Sequence, residues 1–125
     1  MSHIKGIGGI FFKSQNPEQL KAWYQQHLGF PETENIMFGW QTLDNPHQRH
    51  DTIWSPFEQD TTYFSPGTAS FMINYIVDDL DEALAELRAQ GVQVDDRVES
   101  YDFGRFGWAT DLDGNRFELW EPQDS

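Results

Sequence analysis

The sequence predicts an α+β domain of two β-α-β-β-β halves. Three observations predict it. An apolar strand followed by a capped helix occurs twice, at residues 6–29 and again at 70–91. Each helix opens on an Asx residue with a Glx three positions on, Asn16 with Gln19 and Asp79 with Glu82, and each stops at a glycine, Gly29 and Gly91. Short alternating segments follow each helix, and a half of this kind cannot bury its own sheet face. The expected organisation is one domain, 1–125, with half-units 1–64 and 65–125.

The first strand is Gly6 to Lys13, GIGGIFFK, with Ile7, Gly9 and Phe11 on one face and Gly8, Ile10 and Phe12 on the other. Both faces are apolar or empty, as in a strand covered on both sides. Pro17 at the first helical position strengthens the Asn16 cap, and Leu20, Trp23, Tyr24, His27 and Leu28 form the helix's apolar stripe. Ile36, Phe38 and Trp40 alternate as a strand does, and so does the segment around Ile53 to Phe57. Between them, Asp44 to His50 reads as a polar loop. The stretch Glu58 to Thr68, which contains Pro66-Gly67, reads as the connection between the halves.

The second half opens on Ser70 to Val77, with Phe71, Ile73, Tyr75 and Val77 facing one way and Met72, Asn74 and Ile76 the other. Leu80, Ala83, Leu84 and Leu87 give its helix a stripe, and the acids Asp78, Asp79, Asp81 and Glu82 suit the helix dipole. Val92 to Val98 and Arg105 to Thr110 read as strands, with Asp95-Asp96 solvated and Tyr101 to Gly104 a loop that could cover the pocket. Asp113-Gly114-Asn115 is a hairpin turn leading into a last strand, which Pro122 ends. On that strand Phe117 and Leu119 share one face, and Arg116, Glu118 and Trp120 the other. A mid-strand Glu118 among large apolar residues is costly to bury without a partner, so it marks a pocket wall.

The formal charge of −13 over 125 residues argues against nucleic acid and anionic membrane surfaces, and it repels polyanionic substrates. There is no cysteine, hence no disulfide framework. No targeting segment or membrane-length apolar run is evident, and the chain reads as cytoplasmic. Five Trp, ten Phe and four Tyr either fill a core or line a cavity. His27 reads as dipole-stabilised at a helix end, His3 as part of a disordered terminus, and His47 and His50 as loop residues rather than a metal site with Asp51.

The doubled pattern, the helices NPEQLKAWYQQHLGF and VDDLDEALAELRAQGV, and the closing DGNRFELWEP resemble the vicinal oxygen chelate superfamily. That group comprises glyoxalase I, extradiol dioxygenases, fosfomycin resistance proteins and bleomycin-binding proteins. The most specific pieces are the D-x-DGN-x-x-EL segment and the twofold repeat. GIGGIFFK, TIWSPF and FGRFGWATD are similar to an uncharacterised glyoxalase-like branch. The resemblance implies that the halves form a curved mixed sheet with a central pocket, two facing cups around a metal with ligands from the first and last strands of each half, and a homodimer.

Carried over position by position, those ligand sites fall on Gly9, Trp54, Met72 and Glu118; a one-residue slip in register puts Gly8, Ile53 or Ile73 there instead. None but Glu118 suits a hard or borderline cation, so no metal and no other cofactor is expected. The expected lining is Ile7, Phe11, Trp54, Met72, Asn74, Glu118 and Trp120, with Phe106 or Trp108 and Arg105 nearby. The implied function is glyoxalase- or bleomycin-resistance-like binding of a small flat or cationic molecule in this aromatic pocket. The alternative is a metal-independent lyase or isomerase using Glu118 as general acid or base.

Overall fold

A computed structural model describes residues 4–123; His3 lies outside them. The chain order is β1 (Ile4–Ser14), α1 (Pro17–Leu28), β2 (Ile36–Thr42), β3 (Asn45–Glu58), β4 (Phe71–Val77), α2 (Leu80–Ala89), β5 (Glu99–Tyr101), β6 (Gly104–Thr110) and β7 (Arg116–Pro122). The seven strands form one sheet in the order β2-β3-β1-β4-β7-β6-β5. The halves meet at its centre, where β1 and β4 run antiparallel, and each first strand pairs in parallel with the last strand of its own half.

Both helices begin as their sequences dictate. The Asn16 side chain accepts a hydrogen bond from the Gln19 amide at 3.1 Å, and Asp79 accepts one from the Glu82 amide at 3.0 Å. Helix α2 buries Leu80, Ala83 and Leu84 against Val77 and Leu119. Each such leucine stabilises the fold by roughly 1.5–3 kcal/mol. Helix α1 differs from expectation, for it buries no residue completely, and Trp23 and Leu28 stay exposed. Its hold on the sheet is aromatic, through Tyr24 against Trp54 at 4.7 Å.

Three expected elements are corrected. Residues 45–50 extend β3 as a hairpin with β2 and are not a loop, because Trp40 and His50 pair across it. Residues 92–98 are not a strand; they join β6 only through the Val94–Ala109 bridge and two flanking backbone hydrogen bonds. The first half has two strands after its helix where three were expected, since Pro31 to Asn35 forms none.

A β-bulge between Ile7 and Gly9 has a larger consequence. It reverses the alternation of β1, so Ile7 pairs with Tyr75 on the helix side while Gly9 and Phe11 pair with Asn74 and Met72 on the helix-free side. Ile7 therefore does not line the pocket.

Candidate functional site

The helix-free face is organised in rows across the strands. One row runs Ile53, Gly9, Asn74, Glu118 and Trp108. A second joins Gly6, Ile76, Trp120 and Phe106, and a third joins Ser55, Phe11 and Met72. Alternation along each strand thus delivers Phe11, Met72, Asn74, Phe106, Trp108, Glu118 and Trp120 to one surface, as expected.

Besides Ile7, two expected members are on the other face. Trp54 pairs with Ile10, not with a pocket residue, and its indole packs on Tyr24, Phe30 and Phe12 under α1. Register excludes it, because β3 presents Ile53 and Ser55 where Trp54 was expected. Arg105 faces α2, where its guanidinium donates to both carboxylate oxygens of Asp81 at 3.1 and 2.9 Å. One position along β6 separates it from the pocket face.

Glu118 is 1% exposed, and both of its oxygens accept hydrogen bonds. Asn74 Nδ2 donates to Oε1 at 2.6 Å, Trp108 Nε1 donates to Oε2 at 2.8 Å, and the Tyr63 hydroxyl donates to the same Oε2. Burial pushes the Glu118 carboxyl above its ordinary value, and the donors from Tyr63, Asn74 and Trp108 and the charge of Arg116 oppose that rise. Burial and the adjacent carboxylate push the Tyr63 phenol far above its ordinary range, so its proton stays on oxygen at neutral pH.

Arg116, 5% exposed, props this arrangement up. It donates through Nη1 to the Tyr63 carbonyl and through Nη2 to Asp95 at 2.7 Å, with its guanidinium 5.0 Å from the Trp108 ring centre. Glycine is needed below, because a Cβ on Gly8 would stand 2.4 Å from Asn74 Oδ1. Phe64, Met72, Phe11 and Trp108 pack this end into a continuous core.

Sequence reasoning missed Tyr63 and Phe64, which fold from the connecting segment over the carboxylate. The adjacent aromatics in an otherwise polar, aperiodic stretch were the available signal. It also misplaced His50, which is 7% exposed in β3 rather than solvated in a loop.

The row that holds Glu118 carries Ile53, Gly9 and Asn74 at the remaining central positions, and Met72 stands in the next row. Two of those side chains offer no donor atom, and three of the carboxylate's roughly four lone-pair sites already accept from neutral donors. These residues do not fit a divalent cation. Among the described residues no group of three or more His, Cys, Asp or Glu is placed to hold a metal.

Open space lies at the other end of the face. A cleft of about 560 Å³ runs between the β2–β3 hairpin and the end of β7, and His47, His50, Asp51, Ile76, Phe103 and Trp120 are among its lining residues. A second space of about 600 Å³ borders Tyr63, Asp95, Arg97 and Arg116, outside the covered carboxylate. The groove of about 610 Å³ along Asn16, Trp23 and Tyr24 belongs to the end of β1 and to α1, and no residue of the Glu118 row lines it.

A doubled half-unit with its first strands abutting, both helices on one side and a cup on the other, defines a class of protein. The Glyoxalase/Bleomycin resistance protein/Dioxygenase superfamily model matches residues 6–119, and the chain belongs to that superfamily. Its fold is similar to a Streptomyces coelicolor methylmalonyl-CoA epimerase variant in complex with 2-nitronate-propionyl-CoA: TM-score 0.71, 16% identity, 98% of this chain and 100% of that one covered. The Mycobacterium tuberculosis methylmalonyl-CoA epimerase gives TM-score 0.63 at 16% identity, with 97% and 90% covered. A Legionella pneumophila structure described as an NAD-dependent benzaldehyde dehydrogenase gives 0.60 at 16%, with 92% and 98% covered. These likenesses establish the fold. No curated protein matches the chain.

Proposed function

We propose that this is a small-molecule binding protein, working without the superfamily metal, that takes a flat ligand in the cleft bounded by Trp120. The observation that carries the reading is the division of the helix-free face into a filled end and an open end. At the filled end both oxygens of the buried Glu118 accept hydrogen bonds from its own chain, one on Oε1 and two on Oε2, and Tyr63 and Phe64 pack over them. At the open end Trp120 stacks on Phe106 at 5.8 Å and 7°, and Phe103 stands beside them, which presents aromatic surface to solvent-filled space. Mostly apolar walls with a few orienting polar groups are the usual composition of a ligand site. The acidic chain as a whole favours a neutral or cationic ligand over a polyanion.

A thermal-shift screen of planar aromatic compounds tests this. Hits should lose their shift in Trp120→Ala and keep it in Glu118→Gln. Hits indifferent to Trp120→Ala overturn the reading.

The second reading, acid–base catalysis by Glu118, is favoured by its raised carboxyl pKa and by the polar space beyond Tyr63. Several structural neighbours are methylmalonyl-CoA epimerases, one in complex with methylmalonyl-CoA. Deuterium incorporation from solvent into that compound, abolished by Glu118→Gln, would establish this reading. The charge of −13 works against so anionic a substrate.

The protein is proposed to act as one unit, 1–125, in the cytoplasm and as a homodimer. Ile7, Ile10 and Phe71 leave an exposed apolar strip on the helix side of β1 and β4, which supports pairing. Light scattering after size exclusion should give twice the chain mass. Among the described residues no helix is long and apolar enough to cross a membrane.

A further inference from the structure

We infer that His50 is the specificity-determining residue of the Trp120 cleft, and that the ligand is an uncharged fused aromatic ring with a hydrogen-bonding O–H or N–H edge. The inference rests on the cleft being the ligand site, as proposed above.

His50 is 7% exposed as a residue, and it lines both this cleft and the adjoining space of about 430 Å³ beside Lys5 and Val77. The two spaces share Gln48, His50, Ile76, Pro122 and Gln123, and so form one groove around the imidazole. No hydrogen bond to its ring nitrogens is formed within the described residues, and neither nitrogen is among the buried side-chain atoms left without a partner, so the polar edge of the ring opens onto the groove. A polar edge that opens onto a groove is satisfied by what enters the groove.

Its position is fixed by ring contact. His50 lies on Trp40 with centroids 4.8 Å apart and planes at 31°. Trp40 is itself anchored, since its indole N–H donates to Thr52 Oγ1 at 2.7 Å, and that hydroxyl is bonded in turn to the Ile7 carbonyl oxygen at 2.5 Å. Gly6 leaves room for the indole, because a Cβ there would lie 2.4 Å from it.

The facing wall has no polar function to spare. Trp120 Nε1 donates to the Phe103 carbonyl at 3.0 Å, and Phe106 backs its ring. Trp120 thus offers a π-face alone, which selects flatness; of the polar residues in the lining, His47, Gln48, Arg49 and Gln123 are exposed and only His50 is buried in the wall, so the hydrogen-bonding choice falls to His50. Arg49 and Asp51 pair at 3.2 Å on the hairpin, and Lys5 lines the adjoining space together with Asp78 and Glu121, so charges of both signs line the groove. A volume of about 560 Å³ suits a molecule of two or three rings.

The test compares 7-hydroxycoumarin with coumarin, the same plane with and without the hydroxyl edge, and with 1-adamantanol as a globular alcohol. Binding is followed by fluorescence and by the imidazole nitrogen shifts of His50. The expected result is binding of both coumarins, about tenfold tighter for the hydroxylated one, with the His50 nitrogens shifted by it alone and no binding of adamantanol. His50→Phe keeps the stack on Trp40 and should bring the two affinities together; the nitrogen shifts in the unsubstituted protein decide the matter even if this variant misfolds. Equal affinities with the His50 nitrogens unmoved overturn the inference while leaving the cleft as ligand site. No binding of either coumarin, with Trp120 unperturbed, overturns the cleft reading itself.

Discussion

Tyr63 and Glu118, 55 residues apart, are joined by a hydrogen bond from the phenol to the carboxylate. This contact ties the connecting segment to the last strand and covers the carboxylate. Replacing the tyrosine by phenylalanine leaves Glu118 with two donors from side chains, Asn74 and Trp108. We expect Tyr63→Phe to destabilise the fold by about 1–3 kcal/mol, the cost of withdrawing a partner from a buried charged group. Because the phenol lowers the Glu118 pKa, its loss should raise that pKa further, measured by carboxyl-carbon NMR titration. An unchanged titration would disprove the coupling.

Stability should vary with pH in a direction set by the same group. The folded-state carboxyl is raised above the ordinary value of 4.5, so the folded state holds its proton more tightly than the unfolded chain does. Stability then falls as pH rises from the ordinary carboxyl range through the folded-state value, and levels off above it. The difference in urea-unfolding free energy between the parent and Glu118→Gln, followed from about pH 4 upward, should show this slope in the parent alone.

Gly8 is a place where one methyl group is enough to disturb the site. Its added Cβ would meet Asn74 Oδ1 at 2.4 Å, Ile76 Cγ1 at 2.7 Å and Trp120 Cε3 at 2.9 Å. Gly8→Ala should cost about 1–3 kcal/mol through overpacking, and it should weaken ligand binding at Trp120 as well. Chemical denaturation and the coumarin titration read the two effects separately.

Arg105 provides the contrasting case. Its partner Asp81 is mostly exposed, and such ion pairs contribute little. Arg105→Ala should leave denaturation midpoint and ligand affinity within error. A loss of binding would return Arg105 to the pocket.

Much of this was legible along the chain. Both helix starts, the Asp113-Gly114-Asn115 turn and the inward face of the last strand follow from local chemistry and a period of two, so Glu118, Asn74, Met72 and Trp108 were placed on one surface correctly. The Ile7 and Trp54 errors have one cause: alternation is counted from an assumed register, and a single bulge or one-residue slip reverses every face beyond it. The third strand of the first half failed because it was inferred from the repeat alone: only the segments at Ile36 to Trp40 and Ile53 to Phe57 carried a strand pattern there, and the chain forms two strands after α1.

The sequence by itself determined the class of fold, the repeat and the presence of one buried carboxylate, since these depend on spacing and on residue type within a few positions. Only the tertiary structure decided that the carboxylate is closed off and that the accessible space lies beside Trp120 and His50. The reason is physical: Tyr63 and Phe64 carry no periodicity of their own, and where they come to rest is set by the chain returning across the sheet. Which end of a cup is filled is a property of contacts between distant residues, and no local pattern encodes it.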